Sequence, residues 1–246
     1  MTGFRSFPMR ALTPQPTLVD QVYEAILSEL TTGKVGPDSR LIQEEIAESL
    51  GVSRQPVQQA LLLLRNHGLL CDAPGRGLQV APLDPELVRN LFEVRAVLDG
   101  LASAKASERA AAQARKEGSA YIDRGRAAVK SGSVARMISA DMDFHFFLYG
   151  LSGNPLIAEM SGPRWSYLRR FMGAVLLTGE TETPTDIWDE HEAILQAVVE
   201  GRPDVAERLA RQHIHHASDM LTGRLDALRP EESELEPPRR AARTRR

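Results

Sequence analysis

Apolar residues at Val19, Val22, Ile26 and Leu30 recur at the three-and-four spacing that gathers them on one helical face. Thr17 stands where a cap is needed and Gly33 where a helix ends, so the pattern predicts a first helix over 17–32. Beyond the Gly36-Pro37-Asp38 turn, Ile46, Ala47 and Leu50 share one face of a short second helix that closes at Gly51. Ser53 is the next N-cap, and Pro56 falls in the first turn, where its missing N–H is not required. A third helix therefore runs to about Gly68. Its buried stripe is Val57, Ala60, Leu61 and Leu64, which leaves Arg54, Gln55, Gln58 and Gln59 on other faces near its start. From Leu69 to Pro82 the chain reads as two short strands around Ala73-Pro74-Gly75-Arg76-Gly77, a hairpin with one cation at its tip.

Strand signals stop at Asp84, which caps a helix that has Pro85 at its first position. Helical periods follow at about 84–107, 109–130, 134–151, 155–178, 184–200 and 203–227, separated by Gly, Pro or Ser, with Asn154 as a further cap. The fold class is mainly α. An N-terminal winged helix-turn-helix of three helices plus a β-hairpin, residues 17–82, precedes an all-helical antiparallel bundle of about six helices, residues 84–228. Residues 1–16 read as an unstructured leader and 229–246 as a solvated tail, the latter with blocks of Glu and then Arg.

Composition adds bounds. The apolar share of 42% in 246 residues suffices for two cores. Apolar runs such as Leu61 to Leu64 fall far short of the roughly 18 residues that span a bilayer. The first 16 residues lack a signal-length apolar stretch, so a cytoplasmic location is expected. A single cysteine, Cys71, excludes an internal disulfide. Residues 1–82 hold seven Lys/Arg against eight Asp/Glu, which argues against non-specific coating of nucleic acid and leaves room only for a local positive surface.

That surface has candidates. A short helix, a tight glycine turn and a second helix with polar first turns are the parts that place a recognition helix in the major groove. Arg54 can reach a guanine edge or a phosphate, and Gln55, Gln58 and Gln59 can read adenine or hold backbone oxygens. Ser53, Arg40, Arg65 and Arg76 are candidates for the DNA backbone. A helical bundle with solvated polar residues would leave the same pattern. The run Gly51-Val52-Ser53-Arg54-Gln55-Pro56-Val57, followed by Ala60-Leu61 and Gly68-Leu69-Leu70, resembles the winged helix-turn-helix signature of the GntR family. The helical remainder resembles the ligand-sensing FCD domain of its FadR subfamily. The resemblance implies a transcriptional regulator, a repressor that binds operator double-stranded DNA as a homodimer, and the short apolar runs argue for no membrane partner. Two departures stand out. Many members carry Arg-Glu where this chain has Gln58-Gln59, and a frequent DNA-contacting Arg aligns near Glu44.

In the helical region Asp141 and His145 lie four apart on one predicted helix, His191 lies on a second and His213 on a third. One carboxylate and three imidazoles suit zinc, nickel or manganese. A lone histidine on a helix is more often an ordinary hydrogen-bonded or solvent-facing residue. The FCD resemblance changes this, because Asp141-x-x-x-His145, His191 and His213 match the positions of the metal ligands of metal-binding members. It further implies that Arg95 lines the effector pocket as a clamp for a small carboxylate, with an internal salt bridge as its other reading. The family often has Glu where Asp99 stands. His215 and His216 match no family position and read as surface residues, while Trp165, Tyr167 and Trp188 fit either core or pocket. Three rivals remain: a direct metal sensor, a purely structural metal, and a metal-dependent hydrolase using Glu190 or Glu192 as base. The hydrolase explains nothing in residues 17–82.

Overall fold

The computed structural model describes residues 15–178 and 186–228. The expected leader up to residue 14 and the tail from 229 lie outside the described residues. The chain divides into two compact units, with the boundary after Pro82.

The first unit begins with α1, Leu18–Thr31, opened by a capping box in which Thr17 accepts from the Asp20 amide while Asp20 accepts from that of Thr17. Helices α2, Gln43–Leu50, and α3, Arg54–Asn66, flank the turn at Gly51, whose φ of 64° is open to glycine at little cost. Val57, Ala60, Leu61 and Leu64 are buried, as their spacing predicted. The expected two-stranded wing is instead a three-stranded antiparallel sheet in the order β1 (Arg40–Leu41), β3 (Leu78–Val80), β2 (Leu70–Asp72). The additional strand pairs Arg40 with Gln79 and Leu41 with Leu78. Two residues are too few to carry an alternation signal. Leu50 also departs from expectation: it is 40% exposed, because the short α2 buries only Ala47 fully.

The second unit is helical throughout its described residues. Asp84 caps α4, Pro85–Glu117, by accepting from the Glu86 and Leu87 amides. The predicted break near residue 108 is a single distorted residue, Ala110, with φ −140°. Ala111 and Ala112 restart the helix at once, since alanine is the strongest helix former. The real handover to α5, Ser119–Lys130, comes at Gly118, where a Cβ would overlap Leu195. Helices α6 (Val134–Leu151), α7 (Pro155–Leu176), α8 (Asp186–Val199) and α9 (Pro203–Leu228) complete the bundle. Asn154 caps α7 through Leu156. Helix α4 packs along α9 and also meets α6, α7 and α8. A core of Phe144, Leu148, Trp188, Ile194 and Val198 binds α6 to α8. Gly125 lets α5 come close to Trp188, because any Cβ there would overlap the indole. No helix among the described residues is long and apolar enough to cross a membrane.

Candidate functional site

In the first unit α3 presents Arg54, Gln55, Gln58 and Gln59 to solvent. Ser53 occupies the N-cap position, yet its hydroxyl oxygen accepts no helix amide, so its lone pairs stay open while its O–H can still donate. Helix α2 holds the start of α3: the Gln43 amide donates to the Arg54 carbonyl at 2.8 Å, and Glu44 meets the Arg54 guanidinium at 2.7 Å. The residue that departs from the family's cation therefore tethers the principal candidate for base reading. Both side chains are about two-thirds exposed, and such pairs are worth only about 0.2–1 kcal/mol, so the tether yields readily.

The other cations have different settings. Arg40 donates to the Pro74 carbonyl at 2.7 Å, bracing the wing. Arg65 pairs with Asp72 at 3.1 Å. Arg76 is exposed at the wing tip between Gly75 and Gly77, both at positive φ, with no ion pair among the described residues. Replacing Arg76 by Ala is expected to weaken DNA binding on every sequence and to flatten the salt dependence by about one unit per bound subunit. Anisotropy titrations across a salt series check this, and an unchanged slope would contradict it.

In the second unit the four expected residues converge. One donor atom from each of Asp141, His145, His191 and His213 lies within 4.8 Å of every other. The Nε2 atoms of His145 and His191 are 3.4 Å apart, and Asp141 Oδ1 lies 3.6 Å and 3.5 Å from them. Ligands at about 2.1 Å around a tetrahedral ion sit about 3.4 Å apart, so the spacing of Asp141, His145 and His191 fits one divalent cation, with His213 within 4.8 Å of each.

Protonation suits a metal at three of the four residues, His191, His213 and Asp141. Burial holds His191 well below the ordinary imidazole range, with His213 adding to the effect. Burial lowers His213 as well, against the opposing pull of Glu190. Both are neutral, with a lone pair to give. For Asp141, burial acts upward, but the charge and hydrogen bond of His145 and the charge of Arg95 outweigh it and keep the carboxylate ionised. His145 is raised: burial and Arg95 push it down, and Asp99 and Asp141 more than reverse them.

Beside the cluster lies a cavity walled by Phe92, Arg95, Ile138, Met172, Trp188 and Leu221, with Asp141 and His213 on its polar edge. Arg95 is 6% exposed. Its guanidinium stacks 4.0 Å from the Trp165 ring centre and pairs loosely with Asp99 at 3.5 Å and Asp141 at 3.8 Å. The two readings of Arg95 thus coexist. It faces internal carboxylates, but its Nε and one terminal nitrogen are buried without a hydrogen-bond partner. Trp188 serves both core and cavity, and Tyr167 accepts from the Asp84 amide at 2.9 Å.

The sequence profile described as "Bacterial regulatory proteins, gntR family" matches residues 18–80, and that of the "FCD domain" matches residues 90–216, half of the chain. The chain belongs to the GntR family and carries an FCD domain. The Escherichia coli (strain K12) HTH-type transcriptional regulator McbR is 28% identical to this GntR protein over 149 residues, 61% of this chain and 67% of McbR. The Bacillus subtilis (strain 168) regulator LutR is 28% identical over 214 residues, 79% of this chain and 96% of LutR. The solved structure of E. coli McbR/YncC superposes with a TM-score of 0.75 at 22% identity, covering 85% of this chain and 99% of that one, a likeness of fold. GntR regulators bind operator DNA, and family and relatives are transcriptional regulators rather than enzymes, so the hydrolase reading falls away.

Two carboxylates of this GntR protein take roles that sequence reasoning did not give them. Asp99 Oδ1 lies 2.6 Å from His145 Nδ1, and its other oxygen accepts from the Tyr149 hydroxyl at 2.8 Å. Glu190 bridges His213 Nδ1 at 2.8 Å and His216 Nδ1 at 2.6 Å. Each carboxylate stands against Nδ1 and leaves Nε2 free, and His145 turns its Nε2 to His191 and Asp141, the arrangement by which outer carboxylates orient metal-binding imidazoles. His216 is exposed, as expected, but is tied to this shell. The one available signal was its position a single turn from His213.

Proposed function

We propose that this regulator is a homodimeric repressor, released from its operator by a small carboxylate bound between Arg95 and a divalent ion held by Asp141, His145, His191 and His213. The observation that carries this reading is the juxtaposition of three features in one unit: a His3Asp cluster with buried imidazoles, a buried guanidinium with unused donors, and a cavity that both line. The ion, when bound, offers open coordination positions to an anionic ligand. Arg95 supplies the complementary charge and planar donor pair, and the apolar walls exclude water and strengthen both.

Arg54 reads a base edge and Arg76 holds a phosphate in this account, with Ser53, Gln55, Gln58, Gln59, Arg40 and Arg65 completing the reading head. Effector binding need shift the DNA equilibrium only by a typical coupling of about 1–3 kcal/mol, roughly 5- to 150-fold in affinity. The test is operator binding by metal-stripped protein, by zinc-loaded protein, and by zinc-loaded protein with carboxylic acids. Release by zinc with an acid, and not by zinc alone, is the expected result. Release by zinc alone would make the ion itself the signal.

The dimer reading rests on an apolar stripe. Val94, Val97 and Leu101 on α4, with Leu156 and Met160 on α7, are between 37% and 65% exposed, and Val94 and Met160 line one shallow groove. Covering such a stripe with its two-fold mate is the ordinary solution for a protein reading a near-palindrome. The double substitution Val97→Glu with Met160→Glu is expected to convert a dimer to a monomer in light scattering at micromolar concentration. A dimeric variant would place the interface elsewhere.

A further inference from the structure

We infer that the effector is a monocarboxylate with a hydrocarbon body, and that hydroxy acids, sugar acids and polycarboxylates are rejected. The inference rests on the carboxylate reading above and adds to it the chemistry of the rest of the molecule. Among the described residues that line the cavity, the ionisable side chains are Arg95, Asp141 and His213, and the indole N–H of Trp188 is the one further polar group. Two of these are ligands to the proposed ion. An effector therefore meets one guanidinium and the ion's open positions, and a single carboxylate engages both.

Apart from that indole N–H, the remaining lining is hydrocarbon or thioether. Phe92 and Trp188 form aromatic walls, while Met137, Ile138, Met172 and Leu221 offer no hydroxyl or amide. Phe92, Trp188, Ile138 and Leu221 are each at most 4% exposed without a ligand. A hydroxyl carried into this space loses its water and meets at most the Trp188 N–H, with no oxygen in these walls to accept its own proton, which weakens binding by about five- to 150-fold per group. A second carboxylate meets no second cation, and its desolvation is more costly still. The methionines are pliable and fill irregular gaps, so straight-chain and aryl acids are both accommodated. Arg95 argues for the single charge. Its guanidinium is buried, lines this cavity and leaves two donor nitrogens without a hydrogen-bond partner, a deficit one carboxylate repairs.

The experiment is calorimetric titration of the zinc-loaded full chain with hexanoate, phenylacetate, 6-hydroxyhexanoate, gluconate, citrate and hexanamide. Hexanoate and phenylacetate are expected to bind at least 20-fold more tightly than gluconate and citrate. 6-Hydroxyhexanoate should fall five- to 150-fold below hexanoate, and hexanamide should give no heat. The near-isosteric Met172→Gln, which gives the wall an amide, is expected to narrow the gap between hexanoate and its hydroxy derivative. Gluconate or citrate binding as tightly as hexanoate would overturn the hydrocarbon-body inference and leave the carboxylate reading standing. Hexanamide binding as well as hexanoate, or no binding by any of the acids, would overturn the carboxylate reading and this inference with it.

Discussion

Replacing Arg54 by Ala is expected to abolish specific operator binding, a loss of at least roughly 30-fold, without unfolding the protein. A bidentate guanidinium contact to a guanine edge gives about 1–3 kcal/mol of discrimination, and a two-fold dimer makes it twice. The fold should not notice. The Arg54 side chain is 67% exposed, and its one ion pair, to Glu44, is itself on the surface. Glu44→Gln is the informative companion: freeing Arg54 from its tether should raise DNA affinity a fewfold and leave sequence preference in place. Anisotropy titrations against a selected operator and a scrambled duplex measure both effects. An Arg54→Ala protein that binds its operator as tightly as wild type would remove this side chain from the reading head.

The second large effect is expected at the sensor cluster. His191→Ala and Asp141→Asn should each lose stoichiometric metal and acid-induced release from DNA, while DNA binding by the metal-stripped protein persists. Loss of a direct ligand should exceed the 10- to 100-fold reduction in affinity typical when an outer carboxylate is removed, and Asp99→Asn or Glu190→Gln should fall in that smaller range. Two ligand variants are needed because His191 is wholly buried and its truncation leaves a cavity, whereas Asp141→Asn changes charge and preserves volume. Metal analysis together with DNA-release titrations checks the prediction. Full occupancy and normal release in both variants would contradict it.

Much of the reading head was legible because its signals are local. The cap at Thr17, the left-handed turn at Gly51 and the buried stripe from Val57 to Leu64 each lie within one or two helical turns. The cluster was legible in part for the same reason, since Asp141 and His145 share a face. Its closure by His191 and His213 depended on resemblance to a family pattern. What escaped were pairings between distant positions. Glu44 could be seen as a departure, but its contact with Arg54 follows from how α2 turns onto α3. Asp99 was noted only as a change from Glu, and its role beside His145 required α4 and α6 to be packed together. Glu190 was weighed as a hydrolytic base and instead holds two imidazoles through their Nδ1 atoms. The strand Arg40–Leu41 was invisible because two residues have no period.

The most direct test of the central claim is native mass spectrometry of the zinc-reconstituted full chain beside His191→Ala. The account predicts a wild-type dimer carrying one ion per subunit and a variant dimer carrying none. A wild-type protein that remains metal-free would contradict it, reducing the four converging side chains to buried polarity within the bundle.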